Sequence, residues 1–289
     1  MAGRISVVIV NYRNPTLTAE TVASLRHCPQ FGSLAVRIVD NGSADGSLDQ
    51  LKEKCADCEI LDAGSNVGFA GGCNVGIRRA LEEGDERILL LNNDTEVASD
   101  FLTALLKQAD DRTLTTPRIV HADNPARVWY GGGFVSRLRG GFYHTTDAVR
   151  SSQPHDVTFA SGCCLLVPAS FFRTCGLMRE DFFLYYEDAE LCLRAAANGF
   201  RIRYVPESVV RHKVSSTTGV DSPLTAYYGT RNRLRLMADW KFSLTAFAYV
   251  VGTRLVKAVT ARPSASRRAI VRGLFDFFRG QSGREVTLS

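Results

Sequence analysis

Along the first hundred residues, short apolar runs alternate with amphipathic stretches. Residues 5–10 are almost wholly β-branched, which predicts a buried strand. The polar loop Asn11-Tyr12-Arg13-Asn14-Pro15 follows, and residues 16–28 carry Leu17, Val22 and Leu25 on one helical face. The same reading predicts strands over 35–39, 59–61 and 87–91, and helices over 48–55 and 71–83. Strand and helix in this rhythm make parallel βαβ units, in which ligands bind beyond the carboxyl ends of the strands. Polar clusters stand at those ends: Asn11-Tyr12, Asp40-Asn41 and Asn92-Asn93-Asp94.

The pattern then loosens. Strands are expected over 113–120, 157–167 (interrupted at Ser161-Gly162), 202–205 (closed by Pro206) and 209–212. Residues 130–141 are glycine-rich and read as a loop or hairpin. A helix follows the acidic cluster at 187–190. A basic helix over 225–238, an apolar one over 242–257 and an amphipathic one over 269–278 close the chain, with a break at Arg262-Pro263-Ser264.

Composition narrows the class. In 289 residues, 45% hydrophobic and 22% charged content excludes a disordered or low-complexity protein. The net charge of +5 is uneven: residues 1–200 hold 19 basic and 25 acidic groups, residues 201–289 hold 16 and 5. A basic tail on an acidic body fits an anionic partner, or a solvated helix face. Of eight cysteines, Cys55 and Cys58 form a CxxC with no second half at zinc spacing, so buried thiols in a reducing compartment are expected. Neither a signal-peptide pattern nor an apolar run of about 20 residues stands out, so a cytoplasmic location is expected.

Several residue groups could carry chemistry. Asp94, after a strand, suits a divalent cation, or a simple turn. Asp40 could accept a hydrogen bond from a base or ribose, or form an Asx turn. The glycine-rich stretch 64–74 opens a helix but matches neither a Walker A loop nor GxGxxG. Glu187-Asp188-Ala189-Glu190 follows Phe182-Phe183-Leu184-Tyr185-Tyr186; acids against aromatics acquire raised pKa values, as a general base requires, while a helix N-terminus would also favour them. His212 could complete a metal shell with Asp94 or be structural. Arg211, Lys213, Arg231 and Arg233 could meet phosphates or water.

In this order the groups resemble glycosyltransferase family 2 over roughly residues 4–240. The resemblance rests on Val8-Ile9-Val10-Asn11-Tyr12, Val39-Asp40-Asn41-Gly42-Ser43, Asn66-Val67-Gly68-Phe69-Ala70-Gly71-Gly72-Cys73-Asn74, Leu91-Asn92-Asn93-Asp94, the segment 183–192 and His212. The Asn-Asn-Asp motif and Tyr227-Tyr228-Gly229-Thr230-Arg231-Asn232-Arg233 look most like bacterial rhamnosyltransferase-type members. The resemblance implies an α/β GT-A fold with a mainly parallel, Rossmann-like sheet. It implies a catalytic domain over 1–240, with a nucleotide-binding half (1–110) and an acceptor-binding half (111–240), before a basic helical extension over 241–289. It assigns Asn11, Tyr12, Asp40, Asn66, Gly68, Asn92, Asn93 and Arg231 to the nucleotide sugar. Asp94 and His212 are assigned to Mg2+ or Mn2+, Asp188 to the catalytic base, and Glu187 and Glu190 to the acceptor. Relatives usually have Asp at Glu190.

The implied reaction is inverting, metal-dependent sugar transfer, for instance of rhamnose, from a dTDP- or UDP-sugar to a saccharide or polyprenyl-diphosphate-linked acceptor in cell-surface polysaccharide synthesis. The basic C-terminal helices are expected at the inner membrane face, or against the body or a second copy in a homodimer. A nucleotidyltransferase would show an early glycine- and arginine-rich loop, and a degenerate binder would lack Asp94 or Asp188. A nucleic-acid partner is not expected, because the tail has no recognisable module.

Overall fold

The structure, a computed structural model, describes residues 3–147, 152–213, 222–262 and 264–284. The chain opens with β1 (Ile5–Asn11), α1 (Pro15–Leu25), β2 (Leu34–Asp40), α2 (Ser47–Lys54), β3 (Glu59–Asp62), α3 (Gly68–Glu82) and β4 (Arg87–Asn92). These are the predicted βαβ units. The middle comprises β5 (Thr95–Val97), α4 (Phe101–Lys107), β6 (Thr113–His121), β7 (Val128–Tyr130), β8 (Gly133–Ser136), β9 (Gly141–His144) and β10 (His155–Asp156). Next come β11 (Cys164–Pro168), α5 (Ala169–Cys175), α6 (Glu187–Ala197), β12 (Arg201–His212), α7 (Pro223–Asp239), α8 (Leu244–Thr260) and α9 (Ser264–Phe278).

The main sheet runs β10-β12-β6-β11-β4-β1-β2-β3, with β5 on β12 and β7 on β6. From β4 to β3 all strands are parallel, so their carboxyl ends form one rim. β11 is antiparallel to both β4 and β6, and β6 and β12 are parallel. Alternation along β1 explains the layers. Ile5, Val7 and Ile9 face α1, α2 and α4 through Val22, Leu25, Leu51 and Phe101. Val8 faces α3, α5 and α6 through Ile77, Phe171 and Leu191. α3 lies so close to β1 that a Cβ on Gly76 would come within 2.5 Å of a Val8 methyl.

Differences from the sequence reading have local causes. The expected break at Pro206 is instead a register shift between Val205 and Val209 inside one long strand, as a residue without an N–H requires. Only the second half of 157–167 forms a strand, because Ser161-Gly162-Cys163 loops toward α6. α4 and α5 span seven residues each, too short to show a period. Pro263, read as a breaker, lies outside the described residues.

The segment after residue 240 folds back on the preceding part of the chain. Phe242, Val250, Ile270 and Leu274 share a core with Phe182, Leu193 and Leu234. The Tyr227 hydroxyl on α7 donates to the buried Asp276 on α9 at 2.8 Å. Among the described residues, no helix is long and apolar enough to cross a membrane. The eight cysteines are free thiols.

At the opposite edge of the sheet from the rim lies Arg37, fully buried on β2. It meets Glu59 at 2.9 Å, Glu83 at 2.8 Å and Asp85 at 2.7 Å, and donates to Ser6.

Candidate active site

The rim gathers most of the predicted donor-side residues. Asn11 and Asp40 end adjacent strands in register. The Asn11 amide donates to Asp40 Oδ1 at 2.8 Å, Ser43 Oγ donates to the same oxygen at 2.6 Å, and the Ser43 N–H reaches Asp40 Oδ2. Thr18 on α1 bridges inward, donating to Asn11 Oδ1 at 2.8 Å while accepting from Asn93 at 3.1 Å. Asn41 joins the next loop by donating to Asn66 Oδ1 and Gly68 O. Gly68 has φ +80°, and a Cβ there would lie 2.3 Å from Phe183 O. Tyr12, Asn66, Asn92 and Asn93 are half-buried on this rim.

Asp94 and His212 meet beside it. β5 pairs β12 so that Thr95 opposes His212, and the Lys213 N–H donates to the Asp94 carbonyl. His212 Nε2 stands 3.1 Å from Asp94 Oδ1, and both side chains are less than 10% exposed. The Trp129 ring packs edge-on against the imidazole at 4.8 Å. A carboxylate oxygen and an imidazole nitrogen this far apart suit neighbouring positions on a six-coordinate ion with bonds of about 2.1 Å. Among the described residues no third His, Cys, Asp or Glu joins them, which leaves positions for water and phosphate oxygens. The pair fits a divalent cation.

A strained turn leads into Asp188. Phe183, Tyr185 and Tyr186 have positive φ values of 63°, 66° and 74°. The turn is clamped from two sides. Asn232 Nδ2 donates to the carbonyls of Phe182, Leu184 and Tyr185 at 2.7, 2.7 and 3.0 Å, and the Phe69 N–H donates to Phe183 O. α6 then begins, and Asp188 accepts from the Gly162 and Ala189 N–H groups at 3.0 and 2.7 Å. Cys163, next to Gly162, accepts from the Asn92 N–H, so one loop ties Asp188 to the Asn92-Asn93-Asp94 segment. Burial raises the Asp188 carboxyl above its ordinary range, while those N–H bonds pull it back. Burial, and then the Asp188 charge, push Glu187 up to about 8.

Asp188 also lines a cavity of about 680 Å3 whose wall includes residues of α6, α7, α8 and α9. Phe142, Phe159, Tyr185 and Tyr186 form its aromatic walls. His144 lines it as well, with burial lowering its pKa.

Four assignments need correction. Arg231 is 1% exposed, donates to the carbonyls of Phe182 and Gly283, and stacks on Tyr227 and Tyr228. It holds the turn and cannot reach a nucleotide. Asn11 is fully buried and saturated, so it positions Asp40 rather than touching a ligand. Glu190 is 3% exposed, with both oxygens on Arg194, whose guanidinium also ties down the carbonyls of Cys175 and Gly176. Glu187 is buried on the α3 side, where its charge acts on Cys73. Neither glutamate lines the cavity. Of the other basic candidates, Arg211 pairs Glu96 and Lys213 pairs Glu20. Sequence reasoning missed Thr18, Trp129 and His144, which lie in segments of ordinary composition. It passed over Asn232 as a neighbour of Arg231.

A model of the family described as "Glycosyltransferase like family 2" matches residues 2–235. The dTDP-rhamnosyl transferase RfbF of Shigella flexneri is 27% identical over 200 residues, 65% of this chain and 66% of that protein. The N-acetylglucosaminyl-diphospho-decaprenol L-rhamnosyltransferase of Mycobacterium tuberculosis is 26% identical over 254 residues, 79% of this chain and 82% of that one. Among solved structures, the mannosyltransferase PcManGT from Pyrobaculum calidifontis, in complex with GDP-Man and Mn2+, superposes with a TM-score of 0.62 at 14% identity. That match covers 96% of this chain and 88% of the other, and carries the GT-A-type fold.

Proposed function

The chain belongs to glycosyltransferase family 2, and from that premise we propose that it transfers a sugar, with inversion, from a nucleoside-diphosphate sugar to a hydroxyl of a glycan acceptor. The observation that carries this reading is the placement of Asp188. It is a carboxylate of raised basicity, open to a cavity on one side and tied through Gly162 and Cys163 to the rim that holds Asp40 and Asp94.

The nucleotide lies along that rim. Asp40, fixed by Asn11 and Ser43, accepts from the base, while Tyr12, Asn66, Gly68, Asn92 and Asn93 line the sugar and ribose. Asp94 and His212 hold Mg2+ or Mn2+, which when bound offsets negative charge gathering on the departing diphosphate. Asp188 takes the proton of the acceptor hydroxyl. The oxygen forms its bond to the anomeric carbon from the face opposite the diphosphate, whose oxygen leaves with the electron pair. The names of two relatives favour rhamnose as the sugar and dTDP as its carrier, and one favours a lipid-linked saccharide as acceptor.

Such an acceptor would bring the enzyme to the inner membrane face. On α8 and α9 the exposed apolar residues Leu244, Val259, Val271 and Phe278 stand among basic ones, the makeup of a helix pair lying on an anionic surface. Vesicles containing anionic lipid should sediment the full chain, and neutral vesicles should not. For the reaction itself, a panel of nucleotide sugars is incubated with Mn2+ and a lipid-linked saccharide. Release of nucleoside diphosphate supports transfer; release of pyrophosphate, or of neither, contradicts it.

A further inference from the structure

The cavity beside Asp188 is also lined by cations. Arg254 and Lys257 of α8 and Arg262 just beyond it line it, all past residue 235, where the family match stops. Arg254 is half-buried, and burial lowers its pKa. Its Nη2 donates to the Gly229 carbonyl, while its Nε has no partner among the described residues. The charged and titratable groups acting on it are the Tyr186 hydroxyl and another cation, Arg233.

Nearby guanidiniums are treated differently. Arg179 pairs Asp181 and Asp239, Arg235 pairs Asp181, Arg194 pairs Glu190, and Arg272 pairs Asp276. Among the described residues, Arg254, Lys257 and Arg262 pair no carboxylate and Asp188 is the acid on the cavity wall. Lys257 and Arg262 are exposed, but Arg254 is partly drawn out of water without a counter-ion, which is costly, and an anionic ligand removes that cost. The cavity volume is within the range that encloses small ligands, and Phe142, Phe159, Tyr185 and Tyr186 line it together with the acid and the cations. On the same turns of α8, Leu255, Val256 and Val259 are exposed apolar neighbours.

We infer that this cavity binds a saccharide linked through diphosphate to a lipid, with the saccharide at Asp188 and the diphosphate at Arg254, Lys257 and Arg262. The inference rests on the sugar-transfer reading and adds to it which residues recognise the acceptor and what they recognise. The C-terminal extension is thereby part of the active site, and a phosphate-free saccharide is a poor ligand.

Titration calorimetry on the full chain, first saturated with uridine or thymidine diphosphate and Mn2+ to fill the donor rim, tests this with geranyl diphosphate as probe. Geranyl diphosphate binds, and geraniol does not. Lys257→Gln/Arg262→Gln, which alters exposed positions, weakens that binding at least tenfold. Arg267→Gln/Arg268→Gln, which removes the same charge outside this cavity, leaves it unchanged. The inference is overturned if the first pair has no effect, if both pairs weaken binding equally, or if inorganic pyrophosphate binds more tightly than geranyl diphosphate. The initial nucleotide titration reads the donor site separately, so loss of the acceptor assignment would leave sugar transfer standing.

Discussion

Arg37 and Arg254 are both guanidiniums withdrawn from water, at opposite edges of the molecule and in opposite company. Arg37 is encircled by Glu59, Glu83 and Asp85, with Ser6 taking a further N–H. Every charge there is closed, and the cluster pins the amino ends of β3 and β4 to β2. Among the described residues Arg254 has a carbonyl and a phenol but no carboxylate, and Asp188, which lines the same cavity, is a half-buried acid held by N–H groups with no cation. Closed charges stabilise the fold. Open charges cost stability and leave groups able to take a ligand or a proton.

The comparison can be broken at the closed end first. Arg37→Met removes the buried cation that three carboxylates share, while Arg4 and Arg79 still reach them from the surface. A loss of about 3 kcal/mol in urea unfolding is expected; a loss under about 1 kcal/mol would mean the cluster is not a structural device. At the open end, Asp94→Ala should weaken nucleotide binding in Mn2+ by more than the roughly 10–100-fold that a lost outer-shell partner costs. In the presence of chelator the variant and the wild type should bind alike, and an equal loss in both conditions would remove the metal from the account. Asn232→Ala strips the donor from three carbonyls of the strained turn, so stability should fall by about 1–2 kcal/mol. kcat should fall with it while the donor KM holds; a fall in stability alone would make Asn232 merely structural. The smallest effect is one of pH. The raised pKa of Glu187 gives a contribution fully present below about 4.5 and lost as pH rises through about 8. Glu187→Gln should therefore flatten the decline in melting temperature between about pH 4.5 and 8, and an unchanged decline would assign it to another group.

The two edges were not equally legible in the sequence. The parallel half was readable because continuous β-branched runs and 3.6-residue spacing are local properties, and polar clusters at strand ends follow from topology. The residues alone left Asp94–His212 as one of two readings of His212, and the resemblance favoured it, since the two lie 118 positions apart and the β5–β12 ladder brings them together. Arg231 was misread because a guanidinium on a basic helix looks the same in sequence whether it faces phosphate or, as here, the carbonyls of a strained turn. Glu190 was misread likewise, since Arg194 is one turn away and satisfies it. The cationic wall was sensed only as an excess of basic residues after position 200. Its direction depends on α8 and α9 folding back onto α6 and α7, a tertiary fact with no local signal.

The central claim is that Asp188 is held open to remove a proton. Asp188→Asn keeps the size of the side chain, and its amide oxygen can still accept a hydrogen bond from the Gly162 N–H, but the group cannot act as a base. Acceptor-dependent release of nucleoside diphosphate should fall by about 10²–10⁴, while nucleotide affinity measured by calorimetry stays at the wild-type value. Wild-type turnover in the asparagine variant would contradict the account.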